Sequence, residues 1–331
     1  MPLMVQGIGP VPSATAASDR PGGSRFDLGR SRLDVGLVNN MGDGALKATE
    51  RQFARLLALA SGATDVRLHL FSIDDVPRGA AARSYMAGRY GSLASLEATK
   101  LDGLIVTGAE PVAASLTDEP YWEGLTRVID WAEHNTASTI FSCLAAHAAV
   151  LHLDGVPRRR LQQKRSGLYE CVRVSSDGLL DGAPSGLRVP HSRWNDLAEG
   201  DLRSHGYRIG SRSLEAGIDM FTKQWGSLFV FLQGHPEYDG ETLFKEYRRD
   251  AHRYLRGERD ELPSIPLHYF EPRTEQAAKA FAEHAQRDRS MTAWETFPRD
   301  WAPRASLFRL WQASASQFYR NWLFQVADAR C

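Results

Sequence analysis

The sequence predicts an α/β protein with a doubly wound, mainly parallel sheet, additional short strands and a C-terminal helical segment. Three observations carry that expectation. Between Leu33 and Val150, short apolar runs alternate with segments of helical spacing. Two apolar runs end on residues that carry chemistry: Ser138–Ser142 leads to Cys143, and Ser227–Gln233 leads to Gly234-His235-Pro236-Glu237. Between these two, short runs separated by Gly and Asp turns replace the alternation, as in an antiparallel or mixed extension of a sheet.

The elements follow in order. Residues 1–32 are rich in Gly, Pro, Ser and Ala and include Arg20, Arg25 and Arg30, which reads as a loosely ordered arm without a secretory signal. Leu33–Val38 is a first strand, broken at Asn39-Asn40-Met41-Gly42-Asp43-Gly44, and from Ala45 the positions Phe53, Leu56, Leu57 and Leu59 follow a helix. Val66–Phe71 alternates as a second strand, Gly79–Ala98 is loop and short helix, and Leu101–Val106 is a third strand ending at Thr107-Gly108-Ala109. Asp118 is the expected cap of a helix carrying Tyr121, Trp122, Leu125, Ile129 and Trp131. Short strands are expected at Leu168–Val174, Leu187–Pro190, Tyr207–Ser211 and Met220–Trp225, and a helix at Thr242–Leu255. From Glu261 a proline-punctuated linker leads to a polar helix at Gln276–Arg287 and an aromatic helix around Leu307–Val326. The expected division is an arm (1–32), one enzyme domain (33–258) and a linker with a helical extension packed on the core (259–331).

Composition excludes several classes. The 331 residues hold 40 basic and 40 acidic side chains, so nothing points to nucleic acid or an anionic membrane, and no apolar run approaches the roughly 20 residues of a membrane span. The three cysteines, Cys143, Cys171 and Cys331, lack metal-ligand spacing and fit a reducing cytoplasm, with no disulfide and no metal expected.

Ser138–Val150 reads as a nucleophile elbow, a strand that turns sharply into a helix so that the residue at the junction, Cys143, stands clear of the sheet. A cysteine at a strand end is also read as an inert small hydrophobe. His235 and Glu237 argue otherwise, because a thiol needs a base to become a thiolate and the base needs a third group to fix its tautomer. His147, one turn past Cys143, sits on a helix leading away from the reacting face, and His191 points to the opposite side of its strand from Ser192.

Six stretches in order then resemble one family: Thr49–Leu57, Asp102–Ala109, Tyr121-Trp122, Cys143, Pro190-His191-Ser192-Arg193 and Gly234–Asp239. Together they are similar to the homoserine O-acyltransferases, the succinyl- or acetyltransferases of methionine biosynthesis, whose fold is class I glutamine amidotransferase-like and flavodoxin-like. The resemblance runs from about Leu33 to Leu323, with Pro303-Arg304-Ala305-Ser306 and Asn321-Trp322-Leu323 matching the closing segment. It implies an acyl-thioester on Cys143, with His235 as general base and Glu237 orienting it. It further implies substrate contacts from Lys164 and Ser192 and a carboxylate clamp from Arg249. Succinyl-CoA or acetyl-CoA would be the co-substrate, L-homoserine the acceptor, with no bound cofactor. Read without the family, Lys164 lies in a basic run with Arg158, Arg159, Arg160 and Arg165 that suggests a solvated loop or a contact for CoA phosphates, and Arg249 suggests a solvated helix face.

Three departures leave the substrates open. The loop Asn40–Lys47 is about two residues longer than the family's turn, so Lys47 has no safe counterpart; Leu144 and His147 stand where tryptophan and glutamine are usual; and Val112 holds a position where glycine accompanies succinyl and glutamate accompanies acetyl transfer. Pro111 lacks an N–H, so an oxyanion donor beside the Leu144 amide would come from a neighbour such as Val112. Succinyl is weakly favoured because Val112 presents no anion. Serine or another hydroxylated acceptor, and glutamine amidotransfer or hydrolysis, stay as alternatives, and the aromatic C-terminal helix suggests a homodimer.

Overall fold

The protein is described from a computed structural model, which covers residues 4–5, 32–176, 178–184, 186–298 and 305–329. Most of the N-terminal arm, Pro303, Arg304 and Cys331 therefore lie outside the described residues.

In chain order the strands are β1 (Met4–Val5), β2 (Arg32–Val38), β3 (Asp65–Phe71), β4 (Gly103–Thr107), β5 (Ser138–Ser142), β6 (Arg159–Arg173), β7 (Leu187–Asp196), β8 (Arg208–Ser213), β9 (Gly217–Gln224) and β10 (Leu228–Leu232). The helices are α1 (Asp43–Ala60), α2 (Ala80–Met86), α3 (Leu93–Ala98), α4 (Trp122–Asn135), α5 (Leu144–Asp154), α6 (Glu199–Ser204), α7 (Thr242–Leu255), α8 (Pro272–Arg287) and α9 (Ala305–Asp328). All ten strands join one sheet, ordered β1-β3-β2-β4-β5-β10-β9-β8-β6-β7. The first six are parallel and the pairs from β10 to β7 antiparallel.

The parallel half, β3-β2-β4-β5-β10, is doubly wound. Its apolar runs are buried on both sides, as parallel strands require: β4 and β5 are buried at every position. One face meets α1 and α9 through Phe53, Leu57, Phe318, Tyr319 and Trp322; the other meets α4 and α5 through Leu125, Val128, Ala145 and Ala149. Trp322 Nε1 donates to Ser138 Oγ at 2.9 Å, at the start of β5. Gly103 at the start of β4 admits that indole, since a Cβ there would lie 3.0 Å from it. A third cluster joins α7, α8 and the linker through Phe244, Tyr247, Tyr269 and Phe281.

The structure corrects several expectations. Asp118 caps no long helix: Leu116–Asp118 is a 3-10 turn capped by Ser115, and α4 starts at Trp122, because Glu119 precedes Pro120 and is held extended. The basic run before Lys164 is the first part of the fifteen-residue strand β6, with Arg160 lying over the Trp194 ring at 4.4 Å, so packing against β7 overrides its polar composition. β7 likewise continues to Asp196. Trp311, Phe318, Tyr319 and Trp322 of α9 are buried inside the chain.

Candidate active site

In a parallel sheet of this winding, ligands bind beyond the carboxyl ends of the strands. Asn40, Gly108, Cys143 and His235 follow the ends of β2, β4, β5 and β10. Asn40 joins three of the strand ends: its backbone N–H donates to Thr107 Oγ1 at 2.9 Å, its side-chain amide donates to Thr107 O at 3.2 Å, and its Oδ1 accepts from Ile73 N–H at 3.2 Å.

Cys143 is the elbow. Its backbone adopts φ 53° and ψ −109°, and with His268 it is one of two non-glycine residues at positive φ among the described residues. Such a conformation costs about 1–3 kcal/mol and persists only where neighbours enforce it. Here the Cys143 N–H donates to Leu232 O at 2.7 Å, tying the turn to β10. Gly108 lets the turn after β4 press on the elbow, because a Cβ there would lie 2.6 Å from Leu144 Cβ. Leu144 opens α5, so its N–H has no acceptor within the helix.

His235 and Glu237 follow β10. The His235 N–H donates to Pro190 O at 2.7 Å, and the ring Nδ1 pairs with Glu237 Oε1 at 2.8 Å, which leaves Nε2 for the Cys143 sulfur. Burial alone would push the imidazole down. The Cys143 sulfur and the Glu237 carboxylate, both also hydrogen-bonded to it, outweigh burial and hold the imidazole well above the ordinary histidine range. Gly234 fits this turn because a Cβ would strike Val189 and approach Asp219 Oδ1 to 2.6 Å.

Tyr238 extends the triad, a link the sequence reading missed. Its ring stacks on His235 with centroids 4.2 Å apart, and its hydroxyl donates to Glu246 Oε1 at 2.8 Å. Glu246 on α7 also accepts from Ser192 Oγ. The ammonium of Lys164 is buried, donating to Asp250 Oδ2 at 3.0 Å and standing 3.7 Å from Glu246 Oε2. Asp250 further pairs with Arg249 at 2.9 Å and Arg259 at 3.0 Å. Burial would raise both carboxyl groups, but Lys164 and Arg249 outweigh it and keep them below their ordinary range.

The structure thus brings Lys164, Ser192 and Arg249 together around Glu246 and Asp250. The sequence reading missed both acids, whose only local signal is a four-residue spacing on α7. Val112 is different. It is 73% exposed, and its N–H and that of Ala113 both donate at 2.8 Å to Glu119 Oε1, so its amide is engaged and does not serve the elbow.

Two other buried histidines stand apart. His147 pairs with Gln233 Oε1 at 2.9 Å, and burial pushes it down to about 4. His191 lies within 3.4 Å of Asp219 and close to Cys171, a group of three buried potential metal ligands. Arg193 Nε donates to His191 Nδ1 at 3.4 Å, while His191 Nε2 and Asp219 Oδ1 are buried without a hydrogen-bond partner among the described residues. Among the described residues no helix is long and apolar enough to cross a membrane.

Comparison with known proteins gives a concordant picture. A family model described as homoserine O-succinyltransferase matches residues 29–330. The homoserine O-succinyltransferase of Rhodopseudomonas palustris is 46% identical over 338 residues, covering 99% of each chain. That of Methylorubrum extorquens is 49% identical over 299 residues, covering 90% of this chain and 88% of its own. A crystal structure of a glutamine amidotransferase from Methylobacillus flagellatus superposes with a TM-score of 0.51 at 13% identity, over 90% of this chain and 96% of that one, a likeness of fold.

Proposed function

The chain belongs to the homoserine O-succinyltransferase family, and on that premise we propose that it moves a succinyl group from succinyl-CoA to the hydroxyl of L-homoserine through a thioester on Cys143. The observation that carries this reading is the hydrogen-bonded series Cys143–His235–Glu237 at the ends of β5 and β10.

In the first half-reaction the Cys143 thiolate attacks the thioester carbon of succinyl-CoA, a new C–S bond forms, and the Leu144 amide stabilises the oxyanion. The bond to the CoA sulfur breaks, and that sulfur leaves as the thiol with the proton from His235 Nε2. Thioester replaces thioester, so the step is near balance. In the second half-reaction Nε2 accepts the proton of the homoserine hydroxyl, whose oxygen attacks the acyl carbon. Collapse of the intermediate breaks the bond to Cys143 and restores the thiolate beside a protonated His235. Help of this kind is typically worth ~10²–10⁴ in rate.

The acceptor is read from the charges around α7. Arg249 offers a planar fork to the α-carboxylate, and Lys164 adds a second positive charge behind it. Glu246, already directed by Ser192 and Tyr238, offers a carboxylate to the α-ammonium. Membership of a family of succinyltransferases supports succinyl as the donor.

Intact-protein mass spectrometry tests the reading. Incubation with succinyl-CoA is expected to add one succinyl group, absent in Cys143→Ala and discharged by homoserine. Absence of the adduct, or equal discharge by serine, would sink it.

A further inference from the structure

The outer face of α7 carries a run of positive charge of which the proposed acceptor site uses only Arg249. Lys245, Arg248, Arg249, Arg253 and Arg256 recur at three- and four-residue steps and line a surface cleft of about 380 Å³, with Trp294 at its rim. Like charges at such steps oppose helix formation, and the chain as a whole has no net charge. Basic residues concentrated on one face of such a chain mark a place for an anion.

Most of these cations are only loosely neutralised. Lys245 pairs with Glu241 at 2.8 Å, Arg253 with Glu110 at 2.9 Å and Arg256 with Glu258 at 2.9 Å, and all three acids are about half exposed or more. Exposed pairs of this type contribute little and exchange readily for a stronger anion. Arg248 lies over the Phe244 ring at 5.8 Å and has no carboxylate within ion-pair distance among the described residues. Trp294 is partly exposed, stacks on Phe297 at 4.5 Å and meets His252 edge-on at 5.1 Å, so its indole is held as a fixed aromatic surface.

The cleft also joins the active site. Glu110 belongs to the turn that follows Gly108, and Gly108 abuts the elbow at Leu144. Arg249 bonds Asp250, which holds Lys164. A ligand with a reacting thioester, a flexible arm and a polyanionic aromatic end matches this layout.

We propose that the outer face of α7 binds the phosphates of the nucleotide end of coenzyme A, with the Trp294 ring as the surface for the adenine. Arg forks suit phosphate oxygens, and base stacking on an aromatic ring needs no further specificity. This rests on the acyl-CoA reading above.

The test compares succinyl-CoA with succinyl-pantetheine, which keeps the thioester and lacks the nucleotide. In an Arg248→Glu, Arg256→Glu variant the ratio of kcat/KM for succinyl-CoA over succinyl-pantetheine is expected to fall about tenfold, the scale of one or two lost charge-assisted contacts. Calorimetric affinity for adenosine 3′,5′-bisphosphate is expected to fall by a similar factor. An unchanged ratio and affinity would overturn the inference while leaving the acyl-transfer reading intact. If neither thioester acylated Cys143 in the unmodified protein, that reading would fail and this inference with it. Should the variant not fold, the unmodified protein decides: KM for succinyl-CoA is expected to rise with ionic strength more steeply than KM for succinyl-pantetheine, and parallel salt dependences would overturn the inference.

Discussion

The parallel half of the sheet and the antiparallel half with α7 both line the site, yet they are built on opposite principles. Around Cys143 the backbone is strained and the reacting sulfur is left partly exposed. Around Lys164 the charges form a network: one buried ammonium and two arginines converge on Asp250, while Ser192 and Tyr238 direct Glu246. The first region keeps a group ready to change its bonds. The second keeps groups from moving, so that an amino acid meets a fixed pattern of charge. Reactivity and recognition are therefore separable by mutation.

The sharpest separation is at the elbow. Cys143→Ala is expected to lower kcat by ~10⁴ or more with the thermal transition intact, because the acyl carrier is lost while the fold is not. Glu237→Gln is expected to reduce kcat by about 10²–10³ by loosening the tautomer and orientation of His235; stopped-flow release of CoA measures it, and wild-type rates would refute the triad. In the Cys143→Ala protein the His235 titration, followed by NMR, is expected to move downward, since the sulfur is one of the two groups that hold it up.

On the other side, Lys164→Met leaves Asp250 with Arg249 and Arg259 but removes the charge nearest Glu246. A stability loss of roughly 1–3 kcal/mol is expected in urea titrations, together with a rise in KM for homoserine that exceeds any fall in kcat. A fall in kcat alone would blur the separation of the two regions.

The two histidines nearest the elbow give pH effects of opposite sign. His147 is neutral in the folded protein and titrates near 4, whereas the unfolded chain binds that proton near 6.5. Its stability contribution is thus present above 6.5 and is lost as pH falls toward 4, by roughly 3 kcal/mol. His235, held high, contributes stability below 6.5 that is lost as pH rises through its folded value. In His147→Gln the acid-side slope between pH 6.5 and 4 is expected to flatten in chemical denaturation series. Finally, iodoacetamide near neutral pH is expected to label Cys143 and spare Cys171, whose thiol burial pushes up, until denaturant is added.

The same contrast explains what the chain reveals when read alone. The elbow and the His235–Glu237 turn are local: a few consecutive residues fix the strand end and the turn, so β5, β10 and the grouping of Cys143, His235 and Glu237 were legible. Ser192 meets Glu246 across 54 positions and Lys164 meets Asp250 across 86. No local period encodes such pairs, and Lys164, Ser192 and Arg249 were legible only through family resemblance, with Glu246 and Asp250 missed. The early part of β6 was hidden for a related reason, since a strand of arginines and glutamines is stabilised by its neighbour β7 and not by its own composition. Val112 shows the reverse error: its position in the sequence suggested a free amide, and Glu119 seven residues on had already engaged it.

The indole of Trp322 reaches Ser138, and its ring lies against Gly103, so β4 and β5 are closed at their leading ends by a residue made after all ten strands. A nascent chain ending before α9 leaves Ile105, Ile140 and Val230 without the helix that covers them, a surface that invites chaperone capture and premature association. The helix made last thus completes the cover over one face of the parallel sheet.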